Sequence, residues 1–329
     1  MSVPLTIKAE RTVFPLAEVF TIARGSRTEA VVVTVTISNG THVGTGECVP
    51  YARYGETVDG VIADIEGLQD AFSHGLSRTA LQTTLEAGAA RNAVDCALWD
   101  LEAKQSGSSA VALAGLPALS PVTTAYTLSL ADPDTMERKA REHAHRPLLK
   151  IKLGGEGDMA RLEAVRRGAP DTDIIIDANE GWDAETYRAL APVLVRLGVK
   201  LVEQPLPAGD DDALLDMERP LPVCADEACH DRASLGQLTG KYDVINIKLD
   251  KTGGLTEALA LKQAGESAGF GIMIGCMVGS SLAMAPAHLL AQGAAFVDLD
   301  GPLLLAEDRP TPLTIEGSLI HPPVAALWG

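Results

Sequence analysis

Apolar and polar positions along the chain fall into two regimes that change near residue 120. Up to residue 50 they mark β-rich runs separated by turns: Leu5 to Thr12, Glu29 to Ser38 with Val31, Val32, Val33, Val35 and Ile37, and Gly44 to Val49. Asn39-Gly40 between the last two runs is a tight hairpin signal, so the sheet is predicted to be antiparallel. From Val58 to about Gln105 the period becomes helical, clearest in Ala93, Ala97, Leu98 and Leu101 at spacings of three and four. A sheet followed by helices predicts an α+β unit.

After Pro121 short apolar strands alternate with amphipathic helical stretches. The strand candidates are Val122 to Leu128, Leu148 to Leu153, Asp173 to Asp177, Lys200 to Glu203, Pro222 to Asp226, Val244 to Lys248, Gly271 to Gly275 and Phe296 to Leu299. Eight buried-looking strands at regular spacing, each followed by a helix, predict a closed parallel β/α barrel rather than an open doubly wound sheet. A chain of 329 residues suits such a barrel with one smaller domain. The glycine pairs Gly154-Gly155 and Gly253-Gly254 follow strands but match neither a dinucleotide nor a P-loop pattern.

Composition narrows the partners. A net charge of −17 opposes nucleic acid and anionic membrane, both of which demand a basic face. No apolar run is long enough to span a bilayer, and no basic segment followed by an apolar one begins the chain, so a cytoplasmic location is expected. Cys48, Cys96, Cys224, Cys229 and Cys276 are odd in number and scattered through apolar runs, which reads as reduced packing thiols. Cys224, Cys229 and His230 fit no zinc spacing. The oligomeric state stays open, a homo-oligomer included.

The reactive face of a β/α barrel lies at the C-terminal ends of its strands, so what each strand delivers there is informative. Strand two ends in Lys150-Ile151-Lys152, strand three in Asp177, strand four in Glu203, strand five in Asp226, strand six in Lys248 and strand eight in Asp298-Leu299-Asp300. A single Asp after a strand usually caps the next helix. Three consecutive strands presenting carboxylates to one mouth would repel one another unless they share a cation. Carboxylates without histidine select magnesium or manganese over zinc. Lys152 and Lys248 flank this row on either side, and crowding by cations and a metal is expected to lower a lysine pKa toward that of a general base.

These residues resemble the enolase superfamily. The matching segments are Leu149-Lys150-Ile151-Lys152, Ile176-Asp177-Ala178-Asn179, Val202-Glu203-Gln204-Pro205, Ala225-Asp226-Glu227 and Asn246-Ile247-Lys248-Leu249-Asp250-Lys251-Thr252-Gly253-Gly254. A lysine on strand six is similar to the muconate-lactonizing branch. Phe20-Thr21-Ile22-Ala23-Arg24-Gly25-Ser26-Arg27 and Asp298-Leu299-Asp300-Gly301-Pro302 narrow the resemblance to dipeptide epimerases acting on L-Ala-D/L-Glu.

The resemblance implies a (β/α)7β barrel over residues 121–305 and an α+β capping domain over 1–120, completed by the tail 306–329. It implies metal ligation by Asp177, Glu203 and Asp226, proton transfer by Lys152 and Lys248, and a further positive contact from Lys150. Asp298 and Asp300 would hold the ammonium of a dipeptide, with Cys276 and Met277 also at the substrate. An arginine would meet the glutamate side chain, with Arg24 as first choice and Arg27 and Arg53 as alternatives. The implied reaction is magnesium-dependent epimerisation by 1,1-proton transfer through an enediolate, serving murein peptide recycling. Its rivals on this scaffold are N-acyl amino acid racemisation, o-succinylbenzoate synthesis and muconate cycloisomerisation.

Overall fold

The computed structural model describes residues 5–329. Its N-terminal sheet is an antiparallel meander of Thr6–Ile22, Gly25–Ser38 and Val43–Cys48. The first two strands run well beyond the apolar segments predicted for them. They form one long hairpin that passes through a register shift between Pro15 and Phe20 and turns just before Gly25. Residues 17–29 are largely exposed, so no inside/outside alternation marks them as strand. The second turn follows the prediction: Asn39 Oδ1 accepts from the Thr41 and His42 amides, and Gly40 takes a φ of 85°.

Residues 58–106 divide into helices Val58–Glu66, Gln69–Ser73, Arg78–Thr84 and Ala89–Ser106. Thr57 and Ser77 cap the first and third by accepting backbone amides. The last helix lies directly on the third strand. A Cβ at Gly44 or Gly46 would fall 2.1 Å from Ala97 O or Ala93 O, so only glycine permits this approach.

Eight parallel strands then follow one another around a barrel in sequence order: Tyr126–Leu128, Leu148–Lys152, Asp173–Asp177, Val199–Glu203, Val223–Ala225, Val244–Ile247, Gly271–Gly275 and Phe296–Asp298. The first and eighth meet through Ala125 N–H donating to Val297 O at 2.8 Å and Leu299 N–H donating to Thr124 Oγ1 at 2.9 Å. Two features depart from the sequence reading. Strand one is shorter, because Val122–Thr123 leaves the barrel to pair with Leu319–Ile320 of the tail. The crossover from strand four to strand five carries only a 3-10 turn, Asp212–Leu215, since Pro207, Gly209 and Pro220 break up the intervening segment.

The strand period builds the site floor. Ile175, Leu201 and Cys224 lie two residues before Asp177, Glu203 and Asp226, hence on the same inward face. They are fully buried together with Ala125 and Met273 inside the barrel. The tail returns to the N-terminal unit: Ala306 N–H donates to Pro15 O, Arg309 pairs with buried Glu47, and Trp328 Nε1 donates to Cys96 O. Among the described residues no helix is long and apolar enough to cross a membrane.

Candidate active site

The barrel mouth, covered by the tip of the long hairpin, holds a cavity that opens to solvent. Its walls include Lys150, Lys152, Asp226, Lys248, Cys276, Met277, Asp298, Asp300, Arg24 and Arg27. Asp177 and Glu203 sit just beneath, fully buried. Every site residue expected from the sequence except Arg53 therefore converges on one place. Asp177 and Glu203 end their strands, while Asp226 and Lys248 are the first residues beyond theirs. Asp298 ends strand eight and Asp300 lies past it, at the start of a 3-10 turn. The two acids reach one cavity through that turn and not through strand alternation.

Asp177, Glu203 and Asp226 can offer oxygens within 4.8 Å of one another. They fit a divalent oxygen-seeking ion. Glu203 Oε2 is buried without a hydrogen-bond donor: Lys150 Nζ stands 2.6 Å away but off hydrogen-bond geometry. Glu203 Oε1 is held at 2.8 Å by Asn246 Nδ2. The neighbouring backbone is strained. Asn179, Glu180 and Gln204, which follow two of the acids, have φ of 47°, 65° and 36° without being glycine.

The lysines interleave with the acids. Lys152 Nζ lies 2.6 Å from Asp177 Oδ2, and Lys248 Nζ lies 2.6 Å from Asp226 Oδ2. Lys150 Nζ bridges Asp298 Oδ2 at 2.7 Å and Asp177 Oδ2 at 3.3 Å. Burial raises the carboxyl pKa of Asp177 and Asp226, but the adjacent lysines outweigh it and hold both below the usual range. In Glu203 burial, reinforced by Asp177, wins and the pKa rises.

The acids act on the lysines in turn. Burial lowers the pKa of Lys150 and Lys248, but the attraction of Asp298 and Glu203 on Lys150, and of Asp226 and Glu203 on Lys248, outweighs it and raises both. The lowering expected from the sequence presupposes a cation shared by the same carboxylates.

Asp300 accepts the Thr127 amide at 2.6 Å, and burial beside Asp298 pushes it up to about 7. Asp298 lines the cavity, and its Oδ1 is buried with no donor. The three candidate arginines differ. Arg53 is spent in a two-point contact with Glu180. Arg24 donates to Asn179 O, Glu180, Tyr51 and Glu227, which ties the hairpin tip to the barrel. Arg27 lines the cavity with its guanidinium 5.9 Å from the Tyr51 ring centroid.

Sequence reasoning assigned no role to Asn246, Gln204, Glu227 or Thr127. Asn246 was within reach of it, since it stands two residues before Lys248 on the inward face of strand six. Gly275 leaves it room, because a Cβ there would lie 2.5 Å from Asn246 Oδ1.

This architecture of an antiparallel capping unit over an acid-lined barrel is matched at both ends by known families. Residues 6–115 match the mandelate racemase/muconate lactonizing enzyme N-terminal domain, and residues 135–324 match the enolase C-terminal domain-like family. The chain belongs to the enolase superfamily, in its mandelate racemase/muconate lactonizing enzyme group.

Within that group it is 46% identical over 318 residues to L-Ala-D/L-Glu epimerase of Escherichia coli, covering 96% of this chain and 99% of that one. It is 44% identical over 299 residues to N-acetyl-D-glutamate racemase of a Pseudoalteromonas species, covering 90% of this chain and 95% of that one. A crystal structure of an enolase family member from Agrobacterium tumefaciens, with homology to dipeptide epimerases and with sodium and L-Ala-L-Glu bound, superposes with a TM-score of 0.97. It is 57% identical, over 99% of this chain and 100% of that one.

Proposed function

We propose that this protein is a magnesium-dependent dipeptide epimerase that inverts the α-carbon of the second residue in L-Ala-D/L-Glu. One observation carries the reading: Lys152 on strand two and Lys248 after strand six reach one cavity from opposite sides of a three-carboxylate cluster. They stand four strands apart in an eight-strand barrel.

A divalent ion held by Asp177, Glu203 and Asp226 would bind the substrate carboxylate and accept the charge that develops there. Lys152 and Lys248 supply the two proton transfers. One, as the neutral amine, takes the α-proton from its face while the C–H electron pair moves into the carboxylate. The other, as the ammonium, returns a proton to the far face. Lys150 adds positive charge between them. The ammonium of the first residue is assigned to Asp298 Oδ1 and Asp300, and the glutamate carboxylate to the arginines of the hairpin tip. Manganese, with the same preference for oxygen donors, should substitute for magnesium. Such a substrate places the enzyme among those that process murein-derived dipeptides in the cytoplasm.

N-acyl glutamate racemisation is the second reading, favoured by the Pseudoalteromonas relative and by the Lys150 contact, which already offsets part of the Asp298 charge. The deciding experiment compares L-Ala-L-Glu, its N-acetyl form and N-acetylglutamate. Dipeptide epimerisation is expected with magnesium, with kcat/KM falling tenfold or more, about 1.4 kcal/mol, on acetylation. Equal turnover of free and acetylated dipeptide would move the assignment to the second reading.

A further inference from the structure

Lys251 has no part in the proton transfers, yet it is among the largest fully buried side chains of the protein. Its ammonium donates to Asp226 Oδ1 at 2.6 Å, to the Asp226 carbonyl at 2.6 Å and to the Asn246 carbonyl at 2.9 Å. An ammonium has three donors, so all are taken. It therefore has nothing to offer a substrate directly.

What it does hold is Asp226. With Oδ1 fixed by Lys251, the other oxygen, Oδ2, accepts from Lys248 at 2.6 Å. The backbone on the same residue is pinned as well, because Asp226 N–H donates to Gln204 Oε1 at 2.9 Å. One carboxylate is thus clamped between two lysines three residues apart, joined by the single turn Leu249–Thr252. The Lys152 side is built differently. There Asp177 Oδ2 meets Lys152, and its Oδ1 accepts only the Asn179 amide at 2.9 Å. Lys150 Nζ, the second buried cation near Asp177, stands 3.3 Å from the same Oδ2, and among the described residues none pairs with Oδ1.

We propose that Lys251 is a positioning residue for Lys248: by fixing Asp226 Oδ1 it sets the direction of Oδ2, and so the place where Lys248 stands against one face of the substrate carbon. This rests on the two-lysine reading above. The asymmetry has a consequence that a purely structural role lacks. Loss of Lys251 should impair only the stereoisomer whose α-proton faces Lys248.

The test measures α-proton exchange of L-Ala-L-Glu and L-Ala-D-Glu separately in deuterium oxide at saturating magnesium. Lys248→Ala identifies which isomer depends on Lys248. In Lys251→Met the exchange of that isomer should fall roughly tenfold or more, the scale on which outer-shell partners act, while the other isomer stays near wild type. The ratio of the two rates is independent of how much protein is correctly folded. A crystal structure of Lys251→Met should show the Asp226 carboxylate turned and its Oδ2 out of hydrogen-bond reach of Lys248.

Equal losses for both isomers, or no loss for either, would overturn the proposal. Should Lys251→Met give no soluble protein, Lys251→Gln, which keeps a donor toward Asp226, must shift the same ratio, and an unchanged ratio there overturns it too. Wild-type protein that exchanges neither isomer would overturn the epimerase reading and this one with it. Wild-type exchange of both isomers alongside equal losses sinks the Lys251 role alone.

Discussion

Replacing Asp250 by Asn should stabilise the protein at neutral pH. Asp250 lies in the turn after Lys248 and is buried against the N-terminal unit, where its Oδ1 accepts from Val49 N at 3.0 Å and Asn92 Nδ2 at 2.9 Å. Asparagine keeps that oxygen and both bonds. Its new amide takes the place of Oδ2 beside a cavity of about 270 Å³ lined by Glu56, Glu86 and His230, ample for water. What disappears is a buried charge.

Burial raises the Asp250 pKa from 3.8 to about 7, with Glu56 and Glu47 adding to it against the two hydrogen bonds. An acid whose folded pKa is raised costs nothing below its unfolded value. The cost grows as pH rises from about 4 to about 7 and is then complete. At about 1.4 kcal/mol per unit the ceiling is about 4 kcal/mol, and relaxation of the site brings the expected gain to roughly 2 to 4 kcal/mol. Urea unfolding of both proteins at several pH values between 4 and 8 isolates this term, because all other titrations cancel in the difference. A difference that is flat with pH, or that favours wild type more strongly as pH rises, would refute the reasoning.

Further outcomes are expected. Chelation should abolish epimerisation and magnesium should restore it, with Asp226→Asn weakening magnesium binding measured by calorimetry; full activity in excess chelator would remove the metal from the scheme. Lys152→Ala and Lys248→Ala should each stop net epimerisation while retaining deuterium exchange of one stereoisomer each, and near wild-type epimerisation by either would exclude two-base transfer. Gly46→Ala places a methyl 2.1 Å from Ala93 O and should cost about 1 to 3 kcal/mol in thermal or urea unfolding, since strand and helix backbones must separate; an unchanged midpoint would show that the interface gives way freely.

The parts of this molecule legible from sequence are those fixed by a period. Inward strand positions repeat every second residue, so Ile175 and Asp177, or Leu201 and Glu203, could be assigned to one face, with the polar member at the open end. The hairpin tip had no such signature. Its strands from Ala17 to Glu29 pair with each other in solvent and bury little, so backbone hydrogen bonds define them and not hydrophobic contrast. The side chains that orient the acids were hidden for another reason. Gln204 and Lys251 follow Glu203 and Lys248 in sequence, but their partners lie on neighbouring strands, and only the barrel's closure reveals that both converge on Asp226.

The same closure explains why the acids are tolerated. Buried acceptors lacking donors are rare in folded proteins, yet Asn179, Glu203, Glu227, Asn246 and Asp298 each carry one, and all belong to this site. Every one is an oxygen. A site short of donors only on its acceptor side suits positive charge from outside, which is what the proposed function asks of it: a metal ion at Glu203 and an ammonium at Asp298. Lys150 and Lys248 supply part of that charge: burial lowers their pKa values, but the surrounding carboxylates outweigh it and raise both. In the proposed two-lysine reaction Lys152 and Lys248 are thus also the counterions of Asp177 and Asp226. On that proposal an ion held by the carboxylates would take over the duty and free one of the two lysines to act as the base.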